Sequence, residues 1–156
     1  MVVALFIYLV AIGCWLGAIV FFSFVTAPAV FGSLPIAEAG KVIHTIFPRY
    51  YYVGYIAGTI AVVASVYLTA VRSPRLWWSA TAAALALALG LTFYAGAVIL
   101  PRADQLRSVA EEQNPDPARK AEFDRLHATS VYLNGAVLLL DLAAMAGTAI
   151  ALTRHA

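Results

Sequence analysis

Four long apolar runs set the pattern of the chain, and polar residues are confined to the joints between them. The first run extends from about Val2 to Val25 without a charge, the second from about Tyr51 to Val71, and the third from Leu76 to Leu100. The fourth extends from about Ala128 to Thr153 and holds one charge, Asp141. A helix needs ~20 residues to cross the hydrocarbon core of a bilayer, so each run is long enough to span. The spans are expected to be helical because a segment in lipid must pair its own backbone polar groups. The first run is too long for a signal-peptide core and lacks a basic flank, so it is read as a retained helix. Prolines mark the expected ends: Pro28 past the first span, Pro48 before the second, Pro74 in the 2–3 turn and Pro101 closing the third. Each removes a backbone donor and restricts its predecessor. The turn Arg72-Ser73-Pro74-Arg75 is short, which makes spans two and three an antiparallel hairpin.

The connections carry the remaining pattern. Between Pro35 and Phe47, the residues Ile36, Gly40, Ile43 and Phe47 share one helical face, and Glu38, Lys41 and Thr45 lie largely opposite. This predicts a short helix in the membrane interface between spans one and two. Tyr50, Tyr51, Tyr52 and Tyr55 follow at the depth of an aromatic belt. The 3–4 connection, Arg102 to Arg125, is the strongly polar segment. Its Asn114-Pro115-Asp116-Pro117 turn predicts two helices, about 102–113 and 117–126, with Asp116 as N-cap and Pro117 at the first helical position. Lys120 and Asp124 are spaced to pair across one turn. The expected fold is an all-α, integral-membrane four-helix bundle forming one domain over residues 1–156, with both termini on one side.

Composition supports this reading and excludes other classes. Hydrophobic residues make up 63% of the 156 residues and charged residues 12%, against about 45–50% and 25% in soluble domains. The formal charge of +2 is too small and scattered for a nucleic-acid surface. The single cysteine, Cys14, excludes an intrachain disulfide and a cysteine-based zinc site. Arginine outnumbers lysine eight to two, which fits a bacterial plasma membrane protein from a GC-rich genome. Counting Lys and Arg places loops one and three in the cytoplasm.

Chemistry concentrates on span four. At ~100° per residue, His127, Ser130, Asn134 and Asp141 share an arc of roughly 60°, which Met145 and Thr148 continue. Asp141 lies about 21 Å along the helix from His127, near the bilayer centre. A carboxylate there costs at least ~2.5–3.5 kcal/mol, so Asp141 must face the bundle interior, be protonated, or find a partner. It is read either as a proton or cation site or as a polar clasp to a neighbouring helix. His127 has the chemistry to bind a metal, ligate haem or move protons, or else to bond a helix end. His44 lies on the interfacial helix and is read as a surface residue. Copper handling by sulfur is poorly served by Cys14, Met1 and Met145, which form no cluster. Gly13-x-x-x-Gly17 and Gly54-x-x-x-Gly58 permit close helix approach, within the chain or in a homodimer.

Several segments resemble one family in order and spacing. These are Ser23-Phe24-Val25-Thr26, Phe31-Gly32-Ser33-Leu34-Pro35, Ile46-Phe47-Pro48-Arg49-Tyr50-Tyr51, Leu100-Pro101-Arg102, and His127-Ala128-Thr129-Ser130 through Asn134. Together they resemble the transmembrane protein 205-like family, domain of unknown function 4149, over nearly the whole chain. The resemblance implies a four-span bundle related to the copper-resistance D-like superfamily, which includes copper importers and a haem-binding protoporphyrinogen oxidase. It carries over Phe47, Pro48, Tyr50, Pro101, Arg102, His127, Ser130 and Asn134 as motif residues. His44 lies outside the pattern, against a bis-histidine haem.

The functional expectation is a small transporter or permease-like protein, more in keeping with a non-enzyme. It would bind a metal ion or small polar ligand along His127, Ser130, Asn134 and Asp141. Tyr50 and Tyr51 are expected to bond His127 or Asn134, with Arg49 and Arg102 as anion-attracting charges at the rim. The alternatives are a redox protein with haem on His127 and a non-catalytic scaffold packed through its glycine faces.

Overall fold

A computed structural model describes residues 1–110 and 116–154, with the side chains of 107–110 left outside that description. It contains four helices long and apolar enough to cross a membrane. These are α1, Val2–Ser33; α2, Ile36–Val71; α3, Arg75–Leu106, with helix continuing to Ala110; and α4, Pro117–Thr153. Each helix packs against its neighbour in sequence, and α1 closes the ring on α4.

Pro74 lies in the 2–3 turn as expected, between Val71 and Arg75, but Pro28, Pro48 and Pro101 do not end or begin spans. In α1 the helix widens to a π-helical turn over Phe22–Thr26, where the Ala27 N–H reaches the Phe22 carbonyl, and then continues through Pro28. In α3 the same arrangement recurs over Ala95–Ile99, with the Leu100 N–H on the Ala95 carbonyl and Pro101 next. A proline ring clashes with the carbonyl four residues back and cannot bond to it. The wider turn ahead of the ring relieves that clash while keeping most backbone groups paired. Pro48 lies inside α2. There the Arg49 guanidinium donates to the Thr45 carbonyl at 2.6 Å.

The expected interfacial helix is therefore not a separate element, because residues 36–47 run straight into the second span. Its packed face also differs by part of a turn: Ala39 and Ile43 are buried, whereas Ile36 is exposed. α4 begins as the sequence predicts, with the Asp116 carboxylate accepting from the Ala118 N–H at 3.0 Å. Lys120 and Asp124 pair at 3.0 Å. The Asn114-Pro115 part of the turn, and His155, lie outside the described residues.

Side-chain size sorts the faces, since lipid and core are equally apolar. α1 sends Tyr8, Ile12, Trp15 and Ile19 inward. α2 answers with small residues, Ala57, Ala61 and Ala64, above Leu68. The close approach is tightest at Gly58, where an added Cβ would stand 2.9 Å from the Trp15 ring and from Leu89. The Gly54/Gly58 face is thus filled from within the chain, the first of the two arrangements its spacing permits. At Gly13 and Gly17, by contrast, no described atom lies within 4 Å of an added Cβ.

Gly58→Ala is expected to cost about 1–3 kcal/mol, as overpacking of a rigid contact does. Gly13→Ala is expected to stay within ~0.5 kcal/mol. Equilibrium unfolding in mixed micelles distinguishes them, and equal effects would contradict the packing described.

Candidate functional site

Two hydrogen-bonded clusters line the inner face of α4, with Asp141 between them. In the upper cluster the Tyr50 hydroxyl donates to the Asn134 side-chain carbonyl. The Asn134 amide donates to the Ser23 hydroxyl at 2.9 Å. In the lower cluster the hydroxyls of Tyr8 and Thr148 are 2.7 Å apart, and Thr148 donates to the Ala144 carbonyl at 2.8 Å. Asp141 is seven residues from both Asn134 and Thr148, about 10 Å along the helix in each direction. It is 0% exposed, and neither carboxyl oxygen has a hydrogen-bond partner among the described residues.

The backbone features of the fold position these groups. Ser23 lies in the π-helical turn of α1, and Phe22 beside it stacks on Tyr50 at 4.8 Å between ring centroids. The second widened turn supplies Gly96, where an added Cβ would collide with the Tyr55 hydroxyl and the Tyr51 ring. Tyr51 can lie flat against α3 because that position carries no side chain. Tyr55 then stacks on Phe93 at 4.4 Å. A cavity of about 10 Å³ remains between Tyr50, Tyr51, Thr92, Ala95, Asn134 and Val137. It has room for one water at most.

The structure brings together Tyr50, Tyr51 and Asn134 and puts Asp141 on the same inner face. It does not bring His127 to them. His127 is exposed, its neighbour Leu126 is the buried residue, and its ring stacks on Phe123 at 6.4 Å. This corrects the expectation that His127 bonds Tyr50 or Tyr51 within the bundle. The buried residues of α4, among them Leu126, Val137, Ala144 and Ala151, centre about 90° around the helix from His127. Ser130 is half-buried and donates to the His127 carbonyl at 3.0 Å. Arg49, Arg102, Pro48 and Pro101 are exposed, and Phe47 is half-buried against Phe22 at 5.2 Å.

Tyr8, Phe22 and Gly96 escaped the sequence reading. A tyrosine inside the charge-free first span was the one signal for Tyr8. His44 is more than a lone surface residue, since its Nδ1 lies 2.8 Å from the Asp104 carboxylate and ties α2 to α3. Haem and metal fit these residues poorly. His127 faces outward, His44 is engaged by Asp104, and the inner cavity is water-sized. Among the described residues no three His, Cys, Asp or Glu side chains are grouped to hold a metal ion.

A family model described as Domain of unknown function (DUF4149) matches residues 10–112. The matched stretch includes Ser23 and Tyr50 and ends before Asn134 and Asp141. No curated protein and no solved structure matches the chain.

The Tyr50–Asn134 bond crosses from α2 to α4, so a double-mutant cycle of Tyr50→Phe and Asn134→Leu is expected to give a coupling of about 0.5–2 kcal/mol. His127→Ala is expected to stay within ~0.5 kcal/mol. A stability loss on removing His127 larger than that for Tyr50→Phe would contradict the placement described.

Proposed function

We propose that this chain, which belongs to the DUF4149 family, is a small membrane transporter in which Asp141 takes up and releases a proton. One observation carries the reading: a fully buried carboxyl with neither oxygen hydrogen-bonded among the described residues. An ionised, unpaired carboxylate at that depth is costly, and intramembrane acids mark proton and ion pathways. In the closed arrangement Asp141 is therefore the neutral acid. Opening the α4 face to water on either side would hydrate it and let it ionise. Asn134 and Tyr50, which hold both donors and acceptors, are the groups to engage a small polar solute as the Tyr50–Asn134–Ser23 chain opens.

The site lies on a single domain, and the bundle is read as a transmembrane protein 205-like member related to the copper-resistance D-like superfamily. The His127–Ser130–Asn134 series supports that placement, whereas the lack of clustered metal donors among the described residues favours a polar solute over a metal ion. The bacterial plasma membrane is the proposed location. If a homodimer forms, the open Gly13/Gly17 face is the one that permits it.

The test uses the full chain in proteoliposomes with an imposed pH gradient. Wild type is expected to carry a proton flux that Asp141→Asn abolishes. Infrared difference spectra across a pH step should contain a carboxyl C=O band that vanishes in the same variant. An unchanged flux in Asp141→Asn, or none in wild type, would leave a non-catalytic scaffold as the better description.

A further inference from the structure

The end of the bundle formed by the 2–3 turn and the last residues of α4 is unlike the opposite end in charge. No Asp or Glu occurs between residues 39 and 103 or after Asp141. Arg72, Arg75 and Arg154 therefore stand at this end without a nearby carboxylate in sequence, whereas the two connections at the other end hold equal numbers of basic and acidic residues. The formal charge of the chain is these three arginines less Asp141. Two of the three guanidinium groups are held at the level of the tryptophans: Arg72 lies 5.9 Å over Trp78 and Arg154 lies 5.5 Å over Trp77. Tryptophans take up the headgroup depth of a bilayer, and stacking fixes the cations there. The Arg72 Nε is enclosed with no acceptor among the described residues.

The third arginine opens onto a groove. Between α2 and α3, a groove of about 510 Å³ is lined by Arg75, Ser79 and Thr69 and then by Val66, Ala70 and Ala82. Its polarity is graded with depth. Arg75 is at the mouth, Ser79 is one turn deeper at ~6 Å, and Ala82 is about 10 Å in, opposite Val66. That order, cation, hydroxyl and then hydrocarbon, is the order an anionic glycerophospholipid presents from phosphate through ester oxygens to acyl chain. Ala82 leaves the space that an acyl chain would fill. We infer that this groove is a binding site for an anionic glycerophospholipid, with the phosphate on Arg75, the ester region at Ser79 and Thr69, and one acyl chain between Val66 and Ala82. The site is on the lipid-facing side of α2 and α3 and is independent of Asp141.

The experiment is thermal unfolding of the full purified chain in neutral detergent, titrated with phosphatidylglycerol, phosphatidylcholine or inorganic phosphate. Phosphatidylglycerol is expected to raise the midpoint in a saturable way, and the other two to leave it near its starting value. Arg75→Gln, a change at an exposed position, is expected to remove most of that rise. Ala82→Phe fills the groove without touching the charge and is expected to remove it as well, so either variant suffices if the other fails to fold. Arg119→Gln, at the opposite end, should keep the full rise. An equal rise with phosphatidylcholine or with inorganic phosphate would overturn the proposal, as would a full phosphatidylglycerol effect in both Arg75→Gln and Ala82→Phe.

Discussion

Nothing in the hydrocarbon core of a bilayer can hydrogen-bond a stray N–H or C=O, and this fold is organised around that constraint. It makes the four spans helical and governs how three prolines are carried within them. Pro28 and Pro101 are each preceded by a widened turn that shifts the backbone pairing by one residue. At Pro48 the α-helix runs straight through the ring. The same constraint gathers the polar side chains. Ser23, Tyr50, Asn134, Tyr8 and Thr148 all find partners on the inner face of α4, and Asp141 is the exception among them.

That exception stands out because the packing around it is otherwise closed. Trp15 fills the space that Gly54 and Gly58 leave open, and Tyr51 fills the space at Gly96. Large aromatic side chains thus reach across the bundle where small residues admit them, and they fix the distances between helices. A carboxyl held in such a frame is positioned by the packing of the helices rather than by hydrogen bonds of its own.

Much of this was legible in the sequence because lipid simplifies the rules. Span number and the Asp116 cap follow from run length and from one side chain before Pro117. The arc holding Asn134 and Asp141 follows from helical periodicity. His127 falls outside because the polar arc lies at the edge of the buried face, which centres on Leu126, Val137 and Ala144. Pro28 and Pro101 were read as stops because periodicity carries no sign of a turn that widens to accommodate the ring. The His44–Asp104 contact joins residues sixty apart on different helices, and neither residue is unusual for its own segment. Tyr8 and Thr148 are likewise a pair that only the folded bundle makes visible.

The widened turns have a consequence for comparing relatives. A π-helical turn holds one residue more than the α-helical turn it replaces, so the faces on either side of it are offset by about 100°. In α1 the residues up to Phe21 and those from Ala27 onward therefore follow two different wheels. A relative without Pro28 has no ring to accommodate and keeps both faces in place only by losing one residue between 22 and 26. A single-residue gap inside an apolar span of such a relative would then mark the same packing kept without the widened turn, and Pro101 sets the same expectation for the third span.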